Sequence, residues 1–494
     1  MKKSFLVFIL IFATNFVMAQ ENLFVQNPDL ENFDFSTGNL SAEDFLTVAF
    51  IASGLNLENS LVYLEKAENL FNQFKNQYLV KQNSGGAFNV SGTSINSDEN
   101  SIINLEENAK NALLFLYENL FTKYSELQTL VNVSFDNGTY NCVSSDVIYV
   151  YFAKKMNLNV VSVETPEHAF CTIYYGSTSL SNSASTDNQI KKVDVETTNP
   201  YGYNPGQRQN LAQKNTWVVT PQRKYRNRHE ISDARLVSLI YNNRISALQR
   251  QRKNFQAASL AFDALYVQNN SPEAQNLFFH CIENHIADLE NLNERDEAIK
   301  FTRQAISQFG RENLLNKNIS AVVNNKIGEL LKSKQIQESY EFLNENRDLI
   351  SEKEFLDLNE FITLNYLNDL IETENFDFAR ENLEKSKQNL SARNYSNLFV
   401  QLYSKEADRI SKENLLEAAD FLENAMAENK NSNLQNQRNV YLHNFEVSVH
   451  NRAVNFINAG NYDEAKKIIE DALGQIENSR ILKNDLNRLQ RIEQ

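Results

Sequence analysis

The scarcity of helix breakers constrains this chain most. It holds six prolines in 494 residues; the last is Pro272, and only Gly310, Gly328, Gly460 and Gly474 follow among the glycines. Proline and glycine are the strongest local punctuators of regular structure, so the 222 residues beyond Pro272 predict helices stacked on one another. A loose repeat runs through this part, marked by Ala258, Ala298, Ser339, Ala379, Ala418 and Ala465 at separations of 40, 41, 40, 39 and 47 residues. Four and seven positions after several markers come further small or apolar residues: Phe262 and Leu265, Thr302 and Ala305, Leu422 and Ala425, Ile469 and Ala472. A small marker lets one helix approach its partner, and the larger residues fill the space beside it. The expectation is an all-α solenoid over residues 231–494, each unit burying its apolar stripe against the next.

The front of the chain has a different character. Met1 to Ala19 has a basic start (Lys2, Lys3), an apolar core (Phe5 to Phe12) and a small residue before a cut at Gln20, the pattern of an export signal. Residues 20–40 are polar and predict an extended linker. Ser41-Ala42-Glu43-Asp44 is a helix start, with a serine cap and acids that suit the positive helix end. Helical spacing follows over Asn56 to Tyr78 and over Asn104 to Leu130. Gln82 to Asn100, rich in Gly, Ser and Asn, predicts a loop. Asp136-Asn137-Gly138 signals a turn that delivers the chain to an apolar helix beginning near Cys142. Three β-rich runs come next, Val160 to Val163, Ala169 to Tyr175 and Ile190 to Val195, with Ser177 to Asn188 as a connector. One helix and three strands make an α+β unit within residues 41–230.

That unit carries the only constellation with chemistry. Cys142 heads the apolar helix, where unsatisfied amides and the helix dipole favour a thiolate. His168 lies in the second β-rich run, sharing a strand face with Phe170 and Thr172, while Ala169 and Cys171 take the other. Asp194 lies in the third, and Glu196 shares its face and rivals it for the same role. Cysteine, histidine and carboxylate in this order suit a nucleophile, its general base and the acid that orients the base. The duller readings are a buried cysteine packed like a small apolar residue, a Cys142–Cys171 disulfide, or a zinc site at Cys142, His168 and Asp194 that no paired Cys or His spacing supports. The other histidines, among them His450, show no comparable company. The Cys142 amide is the expected oxyanion donor, with Asn137 or Asn141 as possible additions or simple turn formers.

The residues Tyr140-Asn141-Cys142-Val143-Ser144-Ser145, Pro166-Glu167-His168-Ala169-Phe170 and Val193-Asp194-Val195-Glu196-Thr197-Thr198-Asn199-Pro200 resemble the papain-like core of the transglutaminase-like superfamily. The resemblance covers roughly Asn104 to Trp217 and implies Cys142, His168 and Asp194 as a catalytic triad acting on an amide or acyl group. Gly460-Asn461-Tyr462-Asp463-Glu464-Ala465 resembles the turn and second-helix start of a tetratricopeptide repeat, whose usual period of about 34 residues is exceeded here. These resemblances imply a cysteine enzyme whose helical array binds a protein or peptide partner, and the export signal and acidic charge suggest a periplasmic, envelope-associated or secreted location. The alternative is a catalytically idle scaffold in which the helices do the work.

Charge and composition narrow the classes further. The formal net charge is −15, which opposes non-specific binding to nucleic acid. No Gly-rich phosphate loop implies a nucleotide, no metal-ligand spacing implies a metal, and no cofactor is expected. No later segment is long and apolar enough to span a membrane after signal cleavage. The three cysteines, Cys142, Cys171 and Cys281, do not form a disulfide framework.

Overall fold

The computed structural model describes residues 22–79, 97–175, 191–211, 216–310, 314 and 316–492. The expected signal peptide, the Ser-rich connector and most of the expected 82–100 loop lie outside the described residues. The last residues of that expected loop are helical. Among the described residues the chain forms eighteen α-helices and eight short strands, so it is mostly helical with a small sheet. It divides into two compact units, the first ending at Leu315 and the second running from Asn316 to Gln494.

In the first unit α1 (Ala42–Ala52) starts at Ser41, whose hydroxyl accepts the Asp44 amide at 3.0 Å. It is followed by α2 (Leu57–Phe74), α3 (Ser97–Asn119), β1 (Lys123–Tyr124), α4 (Val131–Asn137), β2 (Thr139–Tyr140) and α5 (Cys142–Lys155). The helix expected to reach Leu130 stops at Asn119. Beyond it the amides of Thr122 and Lys123 donate to the Gly138 carbonyl, and β1 pairs in parallel with β2. Gly138 ends α4 in the left-handed conformation (φ 73°), and a Cβ there would meet the Leu120 carbonyl at 2.6 Å. Its place just before Cys142 therefore tolerates no side chain.

Helix α5 is apolar on nearly every side and is buried at every position from Val143 to Ala153. A helix hydrophobic all round belongs inside a core. Strands β3 (Asn159–Thr165), β4 (His168–Tyr175), β5 (Lys191–Val195), β6 (Arg208–Leu211), β7 (Thr216–Val219) and β8 (His229–Ile231) follow. The antiparallel sheet has the order β5-β4-β3-β8. The three expected strands are there, and β8 extends the sheet along β3. Pro166-Glu167 turns β3 into β4, so that Thr165 pairs with His168.

Four helices complete this unit: α6 (Asp233–Arg250), α7 (Asn254–Val267), α8 (Pro272–Asn291) and α9 (Arg295–Phe309). The first of them packs on α1, α5 and β3, and the N-terminal segment ties α7–α9 to the same unit, so that no separate domain starts at residue 231. Asp233 accepts the Leu40 amide at 2.8 Å and pairs with Lys154 of α5 at 2.7 Å. The expected linker is a packed strap. Phe24 is buried among the rings of Phe255, Phe262, Phe278, Phe301 and Phe309, and its backbone exchanges two hydrogen bonds with the Gln308 amide. The Asn27 amide donates to Asp263 at 3.1 Å.

The second unit continues as α10 (Asn316–Lys332), α11 (Ile336–Glu345), α12 (Glu352–Glu372), α13 (Phe376–Lys385), α14 (Ala392–Ser411), α15 (Leu415–Glu428), α16 (Ser432–Asn458), α17 (Tyr462–Gln475) and α18 (Arg480–Ile492). All six repeat markers are fully buried near the start of a helix: Ala258 and Ala298 in α7 and α9, Ser339, Ala379, Ala418 and Ala465 in α11, α13, α15 and α17. Ser339 is accommodated because its hydroxyl donates to the Gln335 carbonyl at 2.8 Å. The longer last interval is taken up by the 27 residues of α16. The turns before α7, α9, α11, α13 and α17 carry a left-handed residue, Arg252, Asn293, Lys334, Glu374 and Gly460 respectively. Only the last is the glycine that such a turn prefers.

Candidate active site

Asn141 fixes the start of α5. Its side-chain oxygen accepts the Val143 and Ser144 amides, both at 3.0 Å, and the Ser144 hydroxyl accepts the Asn141 amide at 2.9 Å, a reciprocal cap. Its Nδ2 donates to the Glu126 carbonyl at 3.2 Å. Asn137 is similarly occupied, its side-chain oxygen accepting the Thr139 amide at 3.0 Å. Both are turn and cap formers, not donors aimed at a reacting oxygen. The cap leaves Cys142 as the first residue of the helix, partly exposed, with its thiol unbridged.

His168 enters the site as the first residue of β4, directly after the hairpin turn. Its Nε2 lies 2.9 and 2.8 Å from the two carboxylate oxygens of Glu196, which leaves Nδ1 as the nitrogen available to the Cys142 sulfur. Burial works against a charged ring here. Hydrogen bonds to Cys142 and to Glu196 outweigh it and raise the His168 pKa to about 9. Glu196 shows the converse: burial opposes its charge, but His168 and then Thr198 hold its pKa down to about 2. Both shifts favour an ionised pair.

The carboxylate beside His168 is therefore Glu196 and not Asp194, the one that the resemblance implies. Sheet register explains the difference. Thr172 pairs with Asp194, placing Asp194 four residues along the sheet from His168, about 13 Å at 3.3 Å per residue. Continuing that register sets Glu196 beside Phe170, diagonal to His168 and within reach of its longer side chain. Asp194 instead accepts the Thr172 hydroxyl at 2.7 Å and a two-pronged pair from Arg228, with both contacts at 3.0 Å. Its removal from His168 also takes away the third ligand of the zinc arrangement.

Several groups hold Glu196 that no sequence pattern singled out. The Thr198 hydroxyl donates to it at 2.6 Å and the Thr198 amide at 3.2 Å. Tyr225 donates its hydroxyl to the other oxygen at 3.0 Å while its ring stacks on His168, centroids 5.6 Å apart and planes 25° from parallel. The neighbouring Thr197 is tied to α5 through the Ser145 hydroxyl at 3.0 Å and to α3 through Tyr117, whose hydroxyl donates to its carbonyl at 3.0 Å. The Glu196 amide donates to Gly202, where a Cβ would collide with the Glu196 carbonyl. Tyr225 lies 57 residues after His168, and no local sequence signal places its ring on an imidazole.

Beneath the site lies Asp146, one helical turn below Cys142 and wholly buried. Neither carboxylate oxygen has a hydrogen-bond partner in good geometry, and burial pushes its pKa up to about 7 despite the nearby Cys171 thiol and Ser162 hydroxyl. Cys171 is itself fully buried on the α5 side of the sheet, and burial raises its pKa well above the ordinary thiol value. Away from the site, His450 does have an acid partner, Asp485, at 2.7 Å. Among the described residues no group of three or more His, Cys, Asp or Glu side chains is arranged to hold a metal ion, and no helix is long and apolar enough to cross a membrane.

Comparison with known proteins found no matching family model, no matching curated protein and no matching solved structure.

Proposed function

We propose that the first unit is a transglutaminase-like, papain-like cysteine enzyme acting on an amide or acyl group through Cys142, His168 and Glu196. The observation that carries this reading is His168, held by Glu196 on one nitrogen and engaged with Cys142, with its pKa raised to about 9. A thiol at the first residue of a buried helix beside an imidazole held by a carboxylate is the arrangement of a nucleophile with its oriented base. In this mechanism the Cys142 sulfur bonds to the carbonyl carbon. His168 then protonates the leaving amine as the carbon–nitrogen bond breaks, leaving a thioester. Water or an acceptor amine attacks the thioester, gives its proton to His168, and the carbon–sulfur bond breaks to restore the thiolate. Glu196 fixes the ring's orientation and stabilises its charge. The helices of the second unit, a tetratricopeptide-like array in this reading, bind a protein or peptide partner, and the protein works outside the cytoplasm.

Alkylation tests the reading. With iodoacetamide at pH 7, Cys142 should label at least about tenfold faster than the fully buried Cys171 and Cys281, and His168→Ala should slow it at least about tenfold. Equally sluggish labelling of all three thiols, unchanged by His168→Ala, would leave only the idle scaffold.

A further inference from the structure

A cleft of about 630 Å³ opens beside His168. Its lining includes Tyr124, Thr165 and His168 and, from the segment Pro221 to Arg228, the residues Arg223 to Arg226. That segment reads Pro-Gln-Arg-Lys-Tyr-Arg-Asn-Arg, in a chain whose formal net charge is −15. Its four cations have different duties. Arg228 is committed to Asp194. Arg223 lies against the Tyr225 hydroxyl. Lys224 and Arg226 are exposed, line the cleft, and have no ion pair among the described residues. Against these three cleft cations the rim offers one carboxylate, Glu167, with Glu126 close behind Tyr124. Glu196 also borders this region, but its charge is balanced by His168.

Positive charge is therefore concentrated at a cleft that touches the candidate base, on a protein of net negative charge. Uncommitted cations over a concave site raise the local concentration of anions and hold carboxylates. We propose that the acyl substrate is an acidic peptide, with Asp or Glu side chains beside the amide to be attacked, held by Lys224 and Arg226. This rests on the cysteine-enzyme reading, since only an attack at Cys142 makes the neighbouring cleft a substrate site. The aromatic rings of Tyr124 and Tyr225 supply flat walls for the peptide backbone, and the basic rim selects the side chains.

The test uses the full chain carrying Cys142→Ala, so that binding is read without turnover. Two fluorescent peptides of equal length are compared by anisotropy at low salt, one with Glu flanking a central Gln and one with Gln replacing each Glu. The acidic peptide should bind at least about tenfold more tightly, and the preference should shrink at 0.5 M salt, where the screening length falls below about 5 Å. Lys224→Gln with Arg226→Gln should abolish the preference and leave weak binding of the neutral peptide unchanged. Equal binding of the two peptides, or a preference that survives the double substitution, overturns the proposal. The double substitution is then made in the chain that retains Cys142, where iodoacetamide labelling should keep its rate. A normal labelling rate without acidic preference refutes the peptide inference alone, whereas an unreactive Cys142 in the unsubstituted chain refutes the enzyme reading and this inference with it.

Discussion

At the scale of single residues, the site depends on which carboxylate meets His168. Raising the His168 pKa from its ordinary 6.5 to about 9 means its contribution to stability is full below about pH 6.5 and is lost as pH rises through about 9. Lowering Glu196 from 4.5 to about 2 means its contribution is full above about pH 4.5 and is lost as pH falls through about 2. The pair is at full strength between about pH 4.5 and 6.5. Glu196→Gln should lower the His168 midpoint by at least about one pH unit, read by NMR of histidine-labelled protein, while Asp194→Asn should leave it in place. The reverse result would restore Asp194 to the imidazole. Asp146 adds a further pH dependence, of the same sign as that of His168. Its folded pKa of about 7 exceeds the ordinary 3.8, so the stability of its neutral form is full below about pH 3.8 and falls as pH rises through about 7. Asp146→Asn should raise the midpoint of thermal unfolding more at pH 8 than at pH 5. The difference corresponds to a few kcal/mol, from about 1.4 kcal/mol per pH unit. An equal effect at both pH values would show that Asp146 is ionised in the fold throughout.

At the scale of elements, the helix–helix turns show how a repeat can persist while its sequence signal fades. In five of them a residue at positive φ ends the first helix, and the amide after it reaches back five residues: Lys253 to Leu248, Glu294 to Leu289, Gln335 to Leu330, Asn375 to Leu370 and Asn461 to Phe456. This is a glycine-type helix ending built mostly without glycine, at a cost of about 1 kcal/mol for each L side chain held there. Glu374 is exposed and stands at φ 57°. Glu374→Gly should therefore stabilise the second unit by about 0.5–1 kcal/mol in urea unfolding, although glycine usually weakens a helical array. Destabilisation instead would mean that the turn is not left-handed. The same logic explains what pattern reading captured. Alanines at helical spacing exposed the buried faces, but turns lacking glycine hid the helix ends.

At the scale of the molecule, the boundary falls at Leu315 and not near residue 230, because α6 and the N-terminal strap tie the later helices to the site. Phe24 inserts into a cluster of five phenylalanine rings drawn from α7, α8 and α9. Phe24→Ala should destabilise the first unit by about 3 kcal/mol, the usual scale for a buried ring removed from a packed core. A fragment of residues 22–315 should unfold cooperatively, and one of residues 41–230 should not, as measured by thermal denaturation. Cooperative unfolding of the shorter piece would show that the strap and helices are dispensable.

Sequence alone determined what local chemistry can determine. The scarcity of breakers predicted a helical second half, the Asp136-Asn137-Gly138 turn delivered the chain to a helix start near Cys142, and alternation put His168 on one strand face. Each of these follows from a preference expressed within a few residues. Tertiary structure decided the rest. Alternation could not separate Asp194 from Glu196, since both share a face, and only the pairing of Thr172 with Asp194 brought Glu196 to the imidazole. The Tyr225 ring over His168 and the Phe24 strap likewise join residues 57 and 231 or more positions apart, whose proximity depends on how strands and helices pack and not on any local preference.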